Sequence, residues 1–275
     1  MRVQTIIPRR GINDDNKGKK NALYRLISSS TADYVWLQDD DVVAPSATDK
    51  MILGAIGDAD LLILPLRMEA ESEQPSLLEQ LQIAEYAAIQ QLTIEAAARG
   101  HAVMCSGANL VVKRERWLES YKDLHPEIAS GDDMFLLESF KKRGLKVVTL
   151  SILGGCDMTG RQEAEQRSFC AVVRPERSWR ALLRQRMRWA GKAPAYKDRD
   201  IVACGAAIAL ANGLQLVFPP LVLVKFPIEF ALIIRNDPTV SAGVAFLLEV
   251  FYPIYMLICI VGGVVRFYMD RKKTW

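Results

Sequence analysis

An α/β domain followed by two membrane-spanning helices is the fold class that the 275-residue sequence predicts. Three observations predict it. Short apolar runs of strand length alternate with stretches of helical period. Aspartates gather straight after one of those runs, where an open α/β sheet carries its site. Two long segments near the C-terminus carry almost no charge, which suits a bilayer better than a soluble core.

The elements follow in order. Residues 2–8 (RVQTIIP) read as a strand, too short for the apolar region of a signal peptide. Residues 9–20 are polar and read as a loop. Ala22, Leu23, Leu26 and Ile27 have helical spacing over residues 21–30, and residues 33–37 (DYVWL) form a second strand. Pro45 and Ser46 open a further helix, with Ser46 as its cap. Residues 60–66 (DLLILPL) read as one buried strand, and residues 76–99 as a long helix ended by Gly100. Residues 103–112 (VMCSGANLVV) read as strand, turn, strand. A helix from Gly131 through Lys142 is closed by Gly144, and residues 146–150 complete the strands.

Residues 178–191 are a basic amphipathic helix. Residues 201–224 then hold no charged residue, more than the roughly 20 needed to cross a bilayer. Residues 239–265 are a second such run, broken only by Glu249, whose insertion costs about 2.5–3.5 kcal/mol unless it faces another helix or is protonated. Residues 226–234, between the runs, read as an interfacial helix or a re-entrant segment. Basic residues flank the pair outside (Lys192, Lys197, Arg199; Arg266, Arg271, Lys272, Lys273), which predicts both ends in the cytoplasm. The expected division is a catalytic domain over 1–175, an amphipathic interface helix over 176–200 and a two-span membrane region over 201–275.

Composition excludes several classes of function. A net charge of +3 is too small to imply a polyanion partner. The basic residues crowd beside the spans without interleaved aromatics, so no nucleic acid is expected. Five cysteines, Cys105, Cys156, Cys170, Cys204 and Cys259, lack metal or disulfide spacing and read as reduced thiols. His101 and His125 are the two histidines, too few for a histidine-led site.

Three groups of residues could do chemistry. Asp39, Asp40 and Asp41 follow a strand, and hard carboxylate oxygens there suit Mg²⁺ or Mn²⁺. On an extended backbone Asp39 and Asp41 share a face; the structural alternative is an acidic turn capping the next helix. Asp132 and Asp133 open a helix, where the dipole favours acids and where one could serve as a general base. Gln185, Arg188 and Trp189 are spaced i, i+3, i+4, offering an amide, a guanidinium suited to phosphate and a ring suited to a sugar. That same helix could simply lie on anionic lipid.

Taken in this order, the three groups resemble the metal motif DxD, the acidic pair and the Q-x-x-R-W segment of family 2 glycosyltransferases of the GT-A fold. The likeness is to the membrane-bound branch that includes cellulose and hyaluronan synthases. Residues 18–23 (GKKNAL) and 106–112 (SGANLVV) are similar to that family's GK-x-x-AL and G-x-N segments. The resemblance implies a GT-A-like mixed sheet flanked by helices. It also implies inverting, metal-dependent transfer of a hexose-type sugar from a nucleotide-sugar donor to a carbohydrate or lipid-linked acceptor, in polysaccharide or glycoconjugate synthesis. Asp39 and Asp41 would hold Mg²⁺ or Mn²⁺, Asp133 would be the base and Asp132 its support. Lys19, Asp39, Gly107, Asn109, Gln185, Arg188 and Trp189 would contact donor or acceptor. The enzyme would be a multi-pass protein of the cell's inner membrane, among its lipids, with a cytoplasmic catalytic domain. The family has a further strand and nucleotide-binding loop before GK-x-x-AL, whereas one strand precedes it here. The expectation is therefore an N-terminally incomplete nucleotide fold, with a non-catalytic remnant as the alternative.

Overall fold

The computed structural model describes residues 1–8, 18–125, 128, 131–150 and 167–272. Of the loop expected over 9–20, residues 9–17 lie outside the described residues, as do Cys156 and Lys273, and residues 18–20 are instead the start of a helix. The chain divides into two units, Met1–Arg67 with Thr93–Val173, and Met68–Leu92 with Arg174–Trp275.

The first unit is a mixed α/β sheet flanked by helices, consistent with the GT-A arrangement. Its five strands are β1 (Val3–Ile6), β2 (Tyr34–Leu37), β3 (Leu61–Ile63), β5 (Leu110–Lys113) and β6 (Val147–Thr149), in the order β1-β2-β5-β3-β6. Outer pairs are parallel, and β5 runs antiparallel to both neighbours. Register places Trp36, Val111 and Leu62 in one row across the sheet. With Tyr34 they bury one face against Ile52 and Ile56 of α2 (Asp49–Ile56). Side-chain alternation leaves Val35, Leu37, Leu110, Val112, Leu61 and Ile63 on the opposite face, all buried. Further buried side chains come from α1 (Gly18–Ser29), α4 (Arg114–Ser120) and α5 (Asp132–Lys142), among them Leu23, Ile27, Trp117, Phe135 and Phe140.

Several expectations change. Thr48, not Ser46, caps α2, its hydroxyl accepting from Met51 N, because the chain stays irregular for three residues past Pro45. The run 60–66 is two elements, β3 and β4 (Leu66–Met68), since Pro65 has no N–H to continue the ladder. Strand β4 instead pairs with β7 (Ala171–Val173). Residues 103–109 form no strand: they are irregular up to a turn at Gly107, and only β5 follows.

In the second unit a capping box starts α3 (Leu77–Ala98). Ser76 N donates to Glu79 Oε2 at 2.8 Å, and Glu79 N donates to Ser76 Oγ at 3.3 Å. Ser178 caps α6 (Trp179–Ala190), and Asp198 caps α7 (Arg199–Val217). Within the uncharged run over 201–224 the helix stops at Val217, because Pro219 and Pro220 open a 3-10 turn; α8 (Val222–Asn236) begins after it. Helix α9 (Ala242–Lys272) completes the unit. Among the described residues two helices are long and apolar enough to cross a membrane, Arg199–Val217 and Ala242–Met269. Helices α6 and α9 approach closely through glycines. A Cβ on Gly263 would lie 2.5 Å from the Met187 carbonyl oxygen, and one on Gly191 2.7 Å from that of Gly263. Glu249 is buried and faces Lys225 of α8 at 2.8 Å.

Candidate active site

Strand β2 is apolar through Leu37 and delivers Gln38 and Asp39 beyond the end of the sheet. Asp40 and Asp41 then lie in a turn, so the alternation expected of an extended chain stops before Asp41. Across from Asp39 stands Lys19, in the first turn of α1. Its Nζ donates to Asp39 Oδ1 at 2.7 Å and lies 3.3 Å from Asp132 Oδ2. One ammonium therefore ties the carboxylate after β2 to the carboxylate that opens α5.

Two adjacent lysines have different tasks. Lys20 is buried and donates to the carbonyls of Leu124, His125 and Ile128 at 2.5, 2.8 and 2.9 Å. It also stands over the Phe135 ring, 4.9 Å from its centroid. It fastens the segment that leads into α5 and so sets where Asp132 and Asp133 begin. Sequence reasoning missed this role, because nothing in Gly-Lys-Lys tells one lysine from the other.

Helix α5 starts after Gly131, which is left-handed at φ 86°. Asp133 Oδ1 accepts from Met134 N at 2.8 Å and Oδ2 from Gly107 N at 3.3 Å. The Cys105 thiol donates to the Asp133 carbonyl at 3.2 Å. There is little room at Gly107: a Cβ there would sit 3.3 Å from Asp132 Oδ2 and 3.4 Å from Lys19 Nζ, so those side chains would have to give by a few tenths of an ångström. Lys19, Asp39, Gly107, Asp132 and Asp133 are thus one constellation, drawn from four separate segments.

Burial and charge compete in it. Burial would lower the pKa of Lys19, but the carboxylates of Asp132 and Asp39 outweigh burial and hold it above the ordinary lysine value. Burial raises the Asp132 carboxyl, against the lowering pull of Lys19, and neighbouring Asp133 and Asp39 raise it further. Asp132 is consequently the acid of the pair held towards its neutral form.

Asn109 is buried beneath this edge. Its Oδ1 accepts from Trp36 Nε1 at 2.9 Å, and its Nδ2 donates to the carbonyls of Pro65 and Phe169, each at 2.8 Å. The amide is engaged in joining three segments of the first unit. Trp36→Phe keeps the ring and orphans one buried acceptor; a loss of about 1–3 kcal/mol in chemical unfolding is expected.

Gln185, Arg188 and Trp189 belong to α6 of the second unit. Arg188 is exposed and Trp189 is 37% exposed. Gln185 donates through Nε2 to Glu176 Oε1 at 2.9 Å.

Among the described residues no three His, Cys, Asp or Glu side chains converge as a metal cage. Mg²⁺ and Mn²⁺ usually bind through one or two carboxylates plus substrate phosphates, and partly exposed Asp39 and exposed Asp41 supply oxygen donors of that kind.

The family model described as glycosyltransferase like family 2 matches residues 2–192. The chain belongs to this family. No curated protein matches this family 2 chain. A solved structure titled "Crystal Structure of a Mycobacterial Protein" is 18% identical with a TM-score of 0.31, over 63% of this chain. The chain spans about half the length of that protein, 50% of it being covered.

Proposed function

We propose that the chain transfers a sugar from a nucleoside-diphosphate donor to an acceptor hydroxyl, with inversion. Membership of glycosyltransferase family 2 supports glycosyl transfer with a nucleotide-sugar donor. The observation that carries the reading is the Lys19 ammonium held between Asp39 and Asp132, with Asp133 fixed alongside by Gly107.

Asp133 takes the proton of the acceptor hydroxyl. Two backbone N–H groups orient its carboxylate, and neither can supply a proton to it in exchange. Asp132 supports it from a buried position, and Lys19 offers a positive group to the donor phosphates. Asp39 and Asp41 would hold Mg²⁺ or Mn²⁺, which offsets the charge gathering on the departing diphosphate. Gly107 leaves room beside the acids, and Asn109 holds the strand that follows it. In the second unit, Gln185 and Arg188 are assigned to the donor side, with the Arg188 guanidinium on the diphosphate, and Trp189 stacks on the acceptor sugar. The two apolar helices anchor the enzyme in the cell membrane, with the catalytic unit in the cytoplasm, and the products are polysaccharide or glycoconjugate.

Calorimetric titration of the full chain in lipid nanodiscs with UDP, GDP and CDP, with and without Mn²⁺, tests this. At least one nucleotide is expected to bind in a Mn²⁺-dependent way. Lys19→Met should weaken that binding roughly 10-fold or more, the scale of a lost charged hydrogen bond. Absence of binding under all conditions would instead assign the chain as a non-catalytic remnant of its family.

A further inference from the structure

Within the second unit, Arg186 is the member of the Gln-Arg-Met-Arg-Trp segment that is most deeply buried. Its side chain is 5% exposed, and that of its partner Glu85, on α3, is 7% exposed. Arg186 Nε and Nη2 donate to the same Glu85 oxygen at 3.2 and 2.7 Å. Nη1 donates to Gln185 Oε1. The guanidinium carbon lies 4.2 Å from the centroid of the Trp189 ring. All three nitrogens are engaged, and the guanidinium carbon sits over the face of the Trp189 ring. Such a group has little left with which to grip a phosphate.

We infer that Glu85 and Arg186 are positioning residues that set the plane of the Trp189 indole and the orientation of the Gln185 amide. This inference rests on the reading of Trp189 as the acceptor-sugar platform. A guanidinium is flat, so once a buried carboxylate and an amide hold its edges, its plane is fixed and a ring stacked on it is fixed too. Helix α3 supplies that carboxylate from 101 positions away in sequence. Trp189 keeps 37% of its surface open, and Gln185 has its own second tether to Glu176. The order is built during folding, so a sugar arriving at the open side of the indole need not freeze the ring itself. A lysine at 186 would keep the charge and lose the plane.

The test uses the full chain in lipid nanodiscs, labelled with 5-fluorotryptophan, with the Trp189 fluorine signal assigned from Trp189→Phe. Two variants are compared with wild type. Arg186→Lys removes the flat group, and Glu85→Leu with Arg186→Leu exchanges the buried pair for apolar volume, which typically preserves packing. The Trp189 signal is expected to move and average in both, while thermal unfolding of the double variant stays near wild type. Cellobiose, used as a soluble disaccharide probe, should shift the Trp189 signal, with half-saturation rising about 3–10-fold in the variants. An unchanged Trp189 signal in the double variant, or in Arg186→Lys if the double variant does not fold, overturns the inference. A Trp189 signal that loosens in the variants but ignores cellobiose in wild type upholds the positioning role and removes the sugar-platform reading instead.

Discussion

Asp133→Asn is expected to lower sugar transfer by roughly 10²–10⁴-fold, the usual contribution of a general base, with donor binding and folding close to wild type. The carboxamide has the shape of the carboxylate and keeps an oxygen for Met134 N, which donates at 2.8 Å. What it loses is the ability to accept a proton from the acceptor hydroxyl. The second contact, from Gly107 N, is long at 3.3 Å, and its loss costs about 1 kcal/mol at most. Asp132→Asn is the informative companion. Burial and neighbouring carboxylates already push Asp132 towards its neutral form, which a carboxamide resembles. Its variant should therefore lose only about 10-fold, mainly through the weakened hold on Lys19, in line with the lower strength of uncharged pairs. Single-turnover transfer of labelled sugar, read beside nucleotide binding, separates the two. Wild-type turnover in Asp133→Asn would remove Asp133 from the mechanism. A larger loss in Asp132→Asn would move the base to Asp132.

How much of this was legible beforehand depends on the range of the interaction concerned. Helices α1, α3, α5 and α6 follow from periodicity and caps, which are local, and the apolar run ending at Asp39 shows where a strand delivers acid. The sheet order does not follow. Strands of three or four residues hold too little pattern to choose neighbours, and β5 enters antiparallel between β2 and β3 through side chains buried on both faces. The same limit divides the site. Asp39, Asp132 and Asp133 are visible as acids at element ends, but the ammonium that joins Asp39 to Asp132 comes from α1, and Lys20 beside it is spent on three carbonyls. On α6, i, i+4 geometry groups Gln185 with Trp189, yet Trp189 stacks on Arg186 because Glu85 draws that guanidinium inward. No spacing rule within a single helix contains Glu85.

Lys225→Met is expected to destabilise the helical unit by about 3–5 kcal/mol, the scale for stranding a buried charge. Lys225 is 11% exposed and Glu249 1% exposed, 2.8 Å apart. The ammonium has other oxygens at hand: it donates to Asn212 Oδ1 at 2.9 Å and to Gln215 Oε1 at 2.7 Å, and Glu229 Oε1 lies 3.5 Å away. Glu249 meets Lys225 as its counter-ion and also hydrogen-bonds Glu229, whereas Lys225 reaches Glu229, Asn212 and Gln215 besides. The two deletions should therefore be unequal, with Glu249→Gln costing about half as much, because Lys225 retains Glu229 and both amides. The double variant Lys225→Met with Glu249→Leu removes both charges at once and should recover to within about 1 kcal/mol of wild type, since apolar replacements of a buried pair are often neutral. Reversible unfolding in mixed micelles, followed by helix content, gives all three values and their coupling. If the double variant is no more stable than Lys225→Met, the stranded Glu249 charge is not the source of the loss. The cluster would then act through hydrogen bonds to Asn212 and Gln215, which tie α8 to α7, with Gln215 also donating to the Glu249 carbonyl of α9 at 2.9 Å.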